Sequence, residues 1–341
     1  MEYAGRYPIF DSRRISTYPV SQRQNKVQLA DLSRPDAVMA AHYDVCEQAE
    51  NIAALAEAMV AARRAGRAVM WLTGAHLVKN GMGPLVADLV RRGLLTLAAT
   101  NGAGVIHDFE LALFGATSEY VPNALPEGKF GMAYELSYIN AALAEADERK
   151  LGYGEGVGRM ICDAEFRQAA AKRLGLNSPI RFQHPEVSIL AACYETGTPL
   201  TVHVGIGTDV IDQHANFDGR AKGGCSGRDF LIFTQQTPDL GEGGVFLNVG
   251  CAVTGPEVLL KAVSVVGSTG QPPYGLITAD LDLKDYRHEA MTDESSANYY
   301  YRHHKSVVTR IPEAFSGRGF YIRGDQRRTV PRLYQEIIRR A

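Results

Sequence analysis

Two stretches decide the fold: AVMWLTGAH at residues 68–76 and LLTLAATNGAG at residues 94–104. Each begins as a short, nearly continuous apolar run and ends in small residues and glycine. A strand buried on both faces reads this way, because neither side of its pleat meets water. Between the two runs, Met82 to Arg92 carries apolar residues at three- and four-residue spacing and stops at Gly93, which predicts a helix. Strand, helix and strand in this order form a parallel unit, with the glycine turns at the carboxyl ends of the strands.

The same rhythm extends in both directions. A helix is expected over Gln48 to Arg67 and another over Val105 to Phe114. Downstream, helices are expected over Pro185 to Tyr194, from Asp229 to Gln235 and over Pro256 to Val266, alternating with strands over Pro199 to Val204, Gly244 to Val249 and Tyr274 to Ala279. The expectation is an α/β fold, a parallel sheet flanked by helices on both faces in the Rossmann manner. Residues 1–30 are polar and irregular and read as an N-terminal arm, with residues 31–341 as one large domain.

In such sheets ligands sit beyond the carboxyl ends of the strands. Four loops there are rich in glycine and small polar residues: Thr73 to His76, Thr100 to Gly104, Gly205 to Asp209 and Asn248 to Cys251. Loops of this kind let backbone amides approach a pyrophosphate, and the next helix adds its positive N-terminal end. None has the GxGxxG or Walker spacing, and each alone can be an ordinary tight turn. Four converging on one crevice point to a dinucleotide.

Composition narrows the class. With 36 basic and 38 acidic residues the net charge is −2, which argues against a nucleic-acid surface. The longest apolar runs are too short to span a bilayer. The five cysteines never form CxxC, which reads as reduced thiols in a cytoplasmic protein rather than a disulfide or zinc framework. His107 lies near Asp108 and Glu110 but has no second histidine at metal spacing, so no metal is expected. His303-His304-Lys305, following three tyrosines, reads as a loop cluster that binds an anion or forms a solvated edge.

Residues 69–81 (VMWLTGAHLVKNG) and 94–109 (LLTLAATNGAGVIHDF) resemble the deoxyhypusine synthase family, and the likeness continues weakly to about residue 310. It implies a homotetramer with NAD near a subunit interface. It also implies oxidation of a small amine or polyamine, and transfer of its aminoalkyl group through an imine on a lysine. Carried over by position, Thr73, Gly74, Thr100, Gly102, Gly104, Gly250, Thr278 and Ala279 would contact the cofactor, while Asp212 and Glu294 would hold the substrate's ammonium groups. His107 and Tyr300 are the candidates for moving a proton. Where the family places its lysine this chain has Asn298-Tyr299-Tyr300-Tyr301, and the nearest lysine is Lys305. The expectation is an NAD-dependent aminoalkyl transferase; the alternative is a non-catalytic NAD-binding homologue with a regulatory or sensor role.

Overall fold

A computed structural model describes residues 3–291, 293–301 and 303–341. The six main-sheet strands are β2 (Val69–Thr73), β3 (Leu97–Asn101), β5 (Leu200–His203), β6 (Val245–Val249), β7 (Ile277–Asp282) and β8 (Arg318–Arg323). They lie in the order β5-β3-β2-β6-β7-β8, and every pairing is parallel. A separate antiparallel ribbon joins β1 (Asn25–Gln28) to β4 (Ala116–Glu119). Counted in chain order, the six main strands run 3-2-1-4-5-6, the doubly wound arrangement in which dinucleotides bind where the order reverses. Here that point lies between β2 and β6.

The apolar runs became strands because the sheet is covered on both sides. All five residues of β2 are buried. Val69 and Trp71 face one apolar cluster, while Met70 and Leu72 face the other. Helices Ala49–Arg64 and Gln326–Arg340 pack against each other and join the first cluster. Helices Gly219–Gln236 and Thr254–Ser268 contribute Phe233 and Leu259 to the second. No helix among the described residues is long and apolar enough to cross a membrane.

Several boundaries differ from the sequence reading. The expected strand Tyr274 to Ala279 runs instead over Ile277–Asp282, because Gly275, at φ +79°, still belongs to the preceding turn. The helix expected at Pro185 starts at Ile189, where Ser188 caps it through the Ala191 amide. The helix expected at Asp229 begins ten residues earlier, at Gly219, capped by Asp218. The second half of the expected arm is tied to the body: β1 pairs with β4, and the Val20 amide donates to Glu135 at 2.9 Å.

Candidate functional site

At the point of strand reversal the ends of β2 and β6 touch. The Gly74 amide donates to the Val249 carbonyl at 3.0 Å, and a Cβ on Gly74 would lie 2.2 Å from the Gly250 carbonyl oxygen. Gly250 has φ +59°. Next to them the Thr100 hydroxyl donates to the Thr73 carbonyl at 3.0 Å, drawing the ends of β2 and β3 together. A Cβ on Gly104 would lie 2.0 Å from Thr100 Oγ1. The small residues therefore keep strand ends and helix starts close. Two helices begin at this edge, Gly102–Phe114 and Thr254–Ser268, and no acidic residue occupies the first turn of the former. Glycine-lined strand ends facing a helix N-terminus fit the pyrophosphate of NAD.

The third loop is already filled. Asp212 Oδ2 accepts the amides of Gly207 (2.7 Å), Thr208 (3.2 Å) and Asp209 (3.4 Å). Lys222 Nζ donates to Asp212 Oδ1 (2.7 Å), Asp209 Oδ2 (2.8 Å) and the Gly205 carbonyl (3.0 Å), and its side chain is 0% exposed. Burial raises the Asp209 carboxyl above its usual range even though the Lys222 ammonium opposes this. The carboxylate expected to bind a polyamine already holds an ammonium of its own chain. Sequence reading missed Lys222, which lies in a glycine-rich polar stretch ten residues from Asp212 and carries no local signal.

At the opposite side, the segment expected as a loop is a helix. His303–Arg310 forms a π-helix in which His303 to Thr309 are all buried, wedged against β7, β8 and helix Thr254–Ser268. It is not a solvated edge. Lys305 Nζ lies 3.3 Å from the Tyr299 ring centroid, and the Tyr299 hydroxyl donates to Glu294 Oε1 at 3.0 Å. Glu294, Tyr299 and Lys305 thus form one group, while Tyr300 packs edge-on against Tyr299 and stays exposed. Thr278 and Ala279 lie within β7 rather than after it, and the Thr278 hydroxyl donates to the Val307 carbonyl at 2.5 Å.

Beside this group lies a buried polar cluster. Asn248 Nδ2 donates to Asp280 Oδ1 at 2.7 Å. His303 Nε2 is 3.1 Å from Asp282 Oδ2, and His304 Nε2 is 3.8 Å from Asp280 Oδ2. Burial pushes the Asp280 carboxyl up to about 7 and the His304 imidazole down to about 4. Burial would also raise Asp282, but His303 beside it holds that carboxyl down at about 2.

His107 stands apart from all of this. Its Nδ1 is 2.7 Å from Thr117 Oγ1, which donates to Glu110 at 2.5 Å, and Glu110 pairs with Arg23 at 2.6 Å. It lines a cavity of ≈ 270 Å³ with Arg23, Lys26, Lys79 and Thr208. The helix bearing His107 follows β3, three strand spacings or about 14 Å from β7. Asp212 follows β5, one spacing further still. Within one chain, neither joins Glu294 and Lys305.

No family model and no curated protein matches this chain. Among solved structures it is similar to a conserved protein from Methanococcus maripaludis S2 assigned as LOR/SDH, with 14% identity over 88% of this chain and 73% of that one, and a TM-score of 0.47. It is also similar to AgrE, solved as a ternary complex with ornithine and NAD+, with 12% identity over 90% of this chain, and a TM-score of 0.44. The chain spans about a third of AgrE's length, covering 34% of it. A protein from Entamoeba histolytica assigned as a deoxyhypusine synthase shares 8% identity over 80% of this chain and 76% of that one, with a TM-score of 0.37. Likeness at this level carries no argument about activity.

Proposed function

We propose that this chain is an NAD-dependent enzyme that oxidises a small amine or polyamine and transfers its aminoalkyl group. The observation that carries this reading is the grouping of Lys305, Tyr299 and Glu294, with Lys305 on the π-helix that packs against β7. NAD held at the reversal point would supply the hydride acceptor for the carbon next to the substrate's nitrogen. The residues of the chain do the rest. Glu294, an exposed carboxylate, offers the cationic end of the substrate an opposite charge. Lys305 is 6% exposed, and a largely desolvated lysine amine is the nucleophile that covalent catalysis through an imine requires. Its Nζ adds to the oxidised carbon, and the rest of the substrate leaves as an amine that carries the proton away. Tyr300, exposed to solvent, exchanges that proton with water.

The test is to incubate the protein with NAD and spermidine, trap with cyanoborohydride and map the modified peptide by mass, while following NADH absorbance. The expected result is an aminoalkyl adduct on Lys305 that disappears in Lys305→Arg. A folded protein that yields neither NADH nor adduct with putrescine, spermidine or agmatine would overturn the amine reading and leave a nucleotide-binding protein without this chemistry.

A further inference from the structure

We propose that Asp280, His303 and His304 form a binding site for a divalent transition-metal ion, independent of the amine reading above. Each residue offers one donor atom, and these atoms lie within 4.8 Å of one another. All three residues are buried: Asp280 and His304 are 0% exposed and His303 is 2% exposed. Among the described residues, Asp280 Oδ2 and both ring nitrogens of His304 are buried without a hydrogen-bond partner, and His303 Nε2 faces Asp282 Oδ2 at 3.1 Å. Buried polar groups are nearly always paired, and a cluster of orphans sharing one small space calls for a common partner. A hydrogen-bond donor would satisfy one of these atoms. A cation at their centre satisfies one from each residue.

The surroundings already set these donors in place. His303 Nδ1 is 3.2 Å from the Ala252 carbonyl, which can only accept, so Nδ1 carries a hydrogen; Nε2 faces the Asp282 carboxylate at 3.1 Å and carries one too, which an incoming metal ion displaces. Asn248 holds Asp280 Oδ1 at 2.7 Å, leaving Oδ2 turned towards His304. A carbonyl behind a ligating histidine and a hydrogen bond behind a ligating carboxylate are the usual supports of metal ligands. Asp282, 3.1 Å from His303 Nε2, adds a second negative charge next to the site.

The donor set selects the class of ion. Two imidazoles and one carboxylate suit Zn²⁺, Fe²⁺, Co²⁺ or Ni²⁺ better than Mg²⁺ or Ca²⁺, which prefer oxygen. Around a tetrahedral Zn²⁺, ligands at about 2.1 Å stand roughly 3.4 Å from each other. The His304 Nε2–Asp280 Oδ2 separation of 3.8 Å is close to that, so small side-chain rotations complete the geometry. Three protein donors leave a further coordination position around the ion. The spacing rules applied to the sequence miss the site because Asp280 lies 23 residues before His303 and meets it only across β7.

The test uses chelator-stripped full-length protein, titrated with ZnCl₂ against a chromophoric chelator and with CoCl₂ while visible spectra are recorded. The expected result is one equivalent of Zn²⁺ per chain and cobalt bands of a low-coordinate nitrogen–oxygen site. Asp280→Asn and His304→Ala should each weaken Zn²⁺ more than about tenfold, the least that loss of even a supporting residue costs. If His304→Ala does not fold, His303→Gln replaces it, and the wild-type stoichiometry is decisive in either case. Folded wild-type protein that binds no equivalent would overturn the proposal. So would binding unchanged in the variants, which would place the ion on exposed histidines such as His42 and His288. The amine reading is tested at Lys305, so either can fail without the other.

Discussion

Both flanks of the sheet's carboxyl edge bury charged side chains, yet the two clusters are built differently. Beyond β5, Asp209, Asp212 and Lys222 satisfy one another: the ammonium reaches both carboxylates and a carbonyl, and three backbone amides complete Asp212. Within β7, Asp280 has one oxygen held by Asn248 and the other without a partner among the described residues, beside a histidine, His304, with neither nitrogen bonded among them. A closed cluster braces a loop. An open one has capacity for something else. The difference turns attention from Asp212, which the family likeness favours, to the β7 side, where Glu294, Lys305 and the two histidines gather.

The comparison breaks most easily on the closed side. Lys222→Met leaves two carboxylates buried without their cation, and breaking a buried pair this way costs about 3–5 kcal/mol. Urea denaturation should show that loss. On the open side Asp280→Asn removes a carboxylate that no lysine among the described residues contacts, so the metal-free protein should change by no more than about 1 kcal/mol, the worth of an ordinary hydrogen bond. Equal losses at the two positions would mean that the clusters are alike and both structural.

Asp229 sharpens the contrast because it lies between these cases. Its Oδ2 accepts the Val202 amide at 2.7 Å and the Gly154 amide at 3.0 Å, while Oδ1 has no partner among the described residues. Burial pushes its carboxyl from 3.8 up to about 7, and the amides only partly oppose that. The folded chain therefore keeps a proton that the unfolded chain loses. The stability this contributes is complete below the unfolded value and disappears as pH rises through about 7. Asp229→Asn cannot ionise. The stability of the variant relative to wild type should therefore rise by on the order of 2–4 kcal/mol from about pH 4 to about pH 8. A flat difference across that range, read by thermal unfolding, would remove the pH argument.

The sheet was legible because parallel strands buried on both faces leave continuous apolar runs, as 68–73 and 244–249 do. The reversal point was legible through its glycines, since Gly74 and Gly250 must leave room for each other's backbone. What could not be read depends on contacts between distant segments. Lys222 finds Asp212 only because helix Gly219–Gln236 returns beneath the loop after β5, and Asp280 meets His304 only when the π-helix packs against β7. Thr278 and Ala279 were offset by one local error, the turn at Gly275 that delays the start of β7.

The claim on which the rest depends is that the strand-reversal point marked by Gly74 and Gly250 takes a nicotinamide dinucleotide. Calorimetric titration of the full-length protein with NAD and NADH, with and without chelator, tests it directly. The account predicts saturable binding of one nucleotide per chain in both conditions. Folded protein that gives no heat and no thermal shift with either nucleotide at millimolar concentration would contradict it.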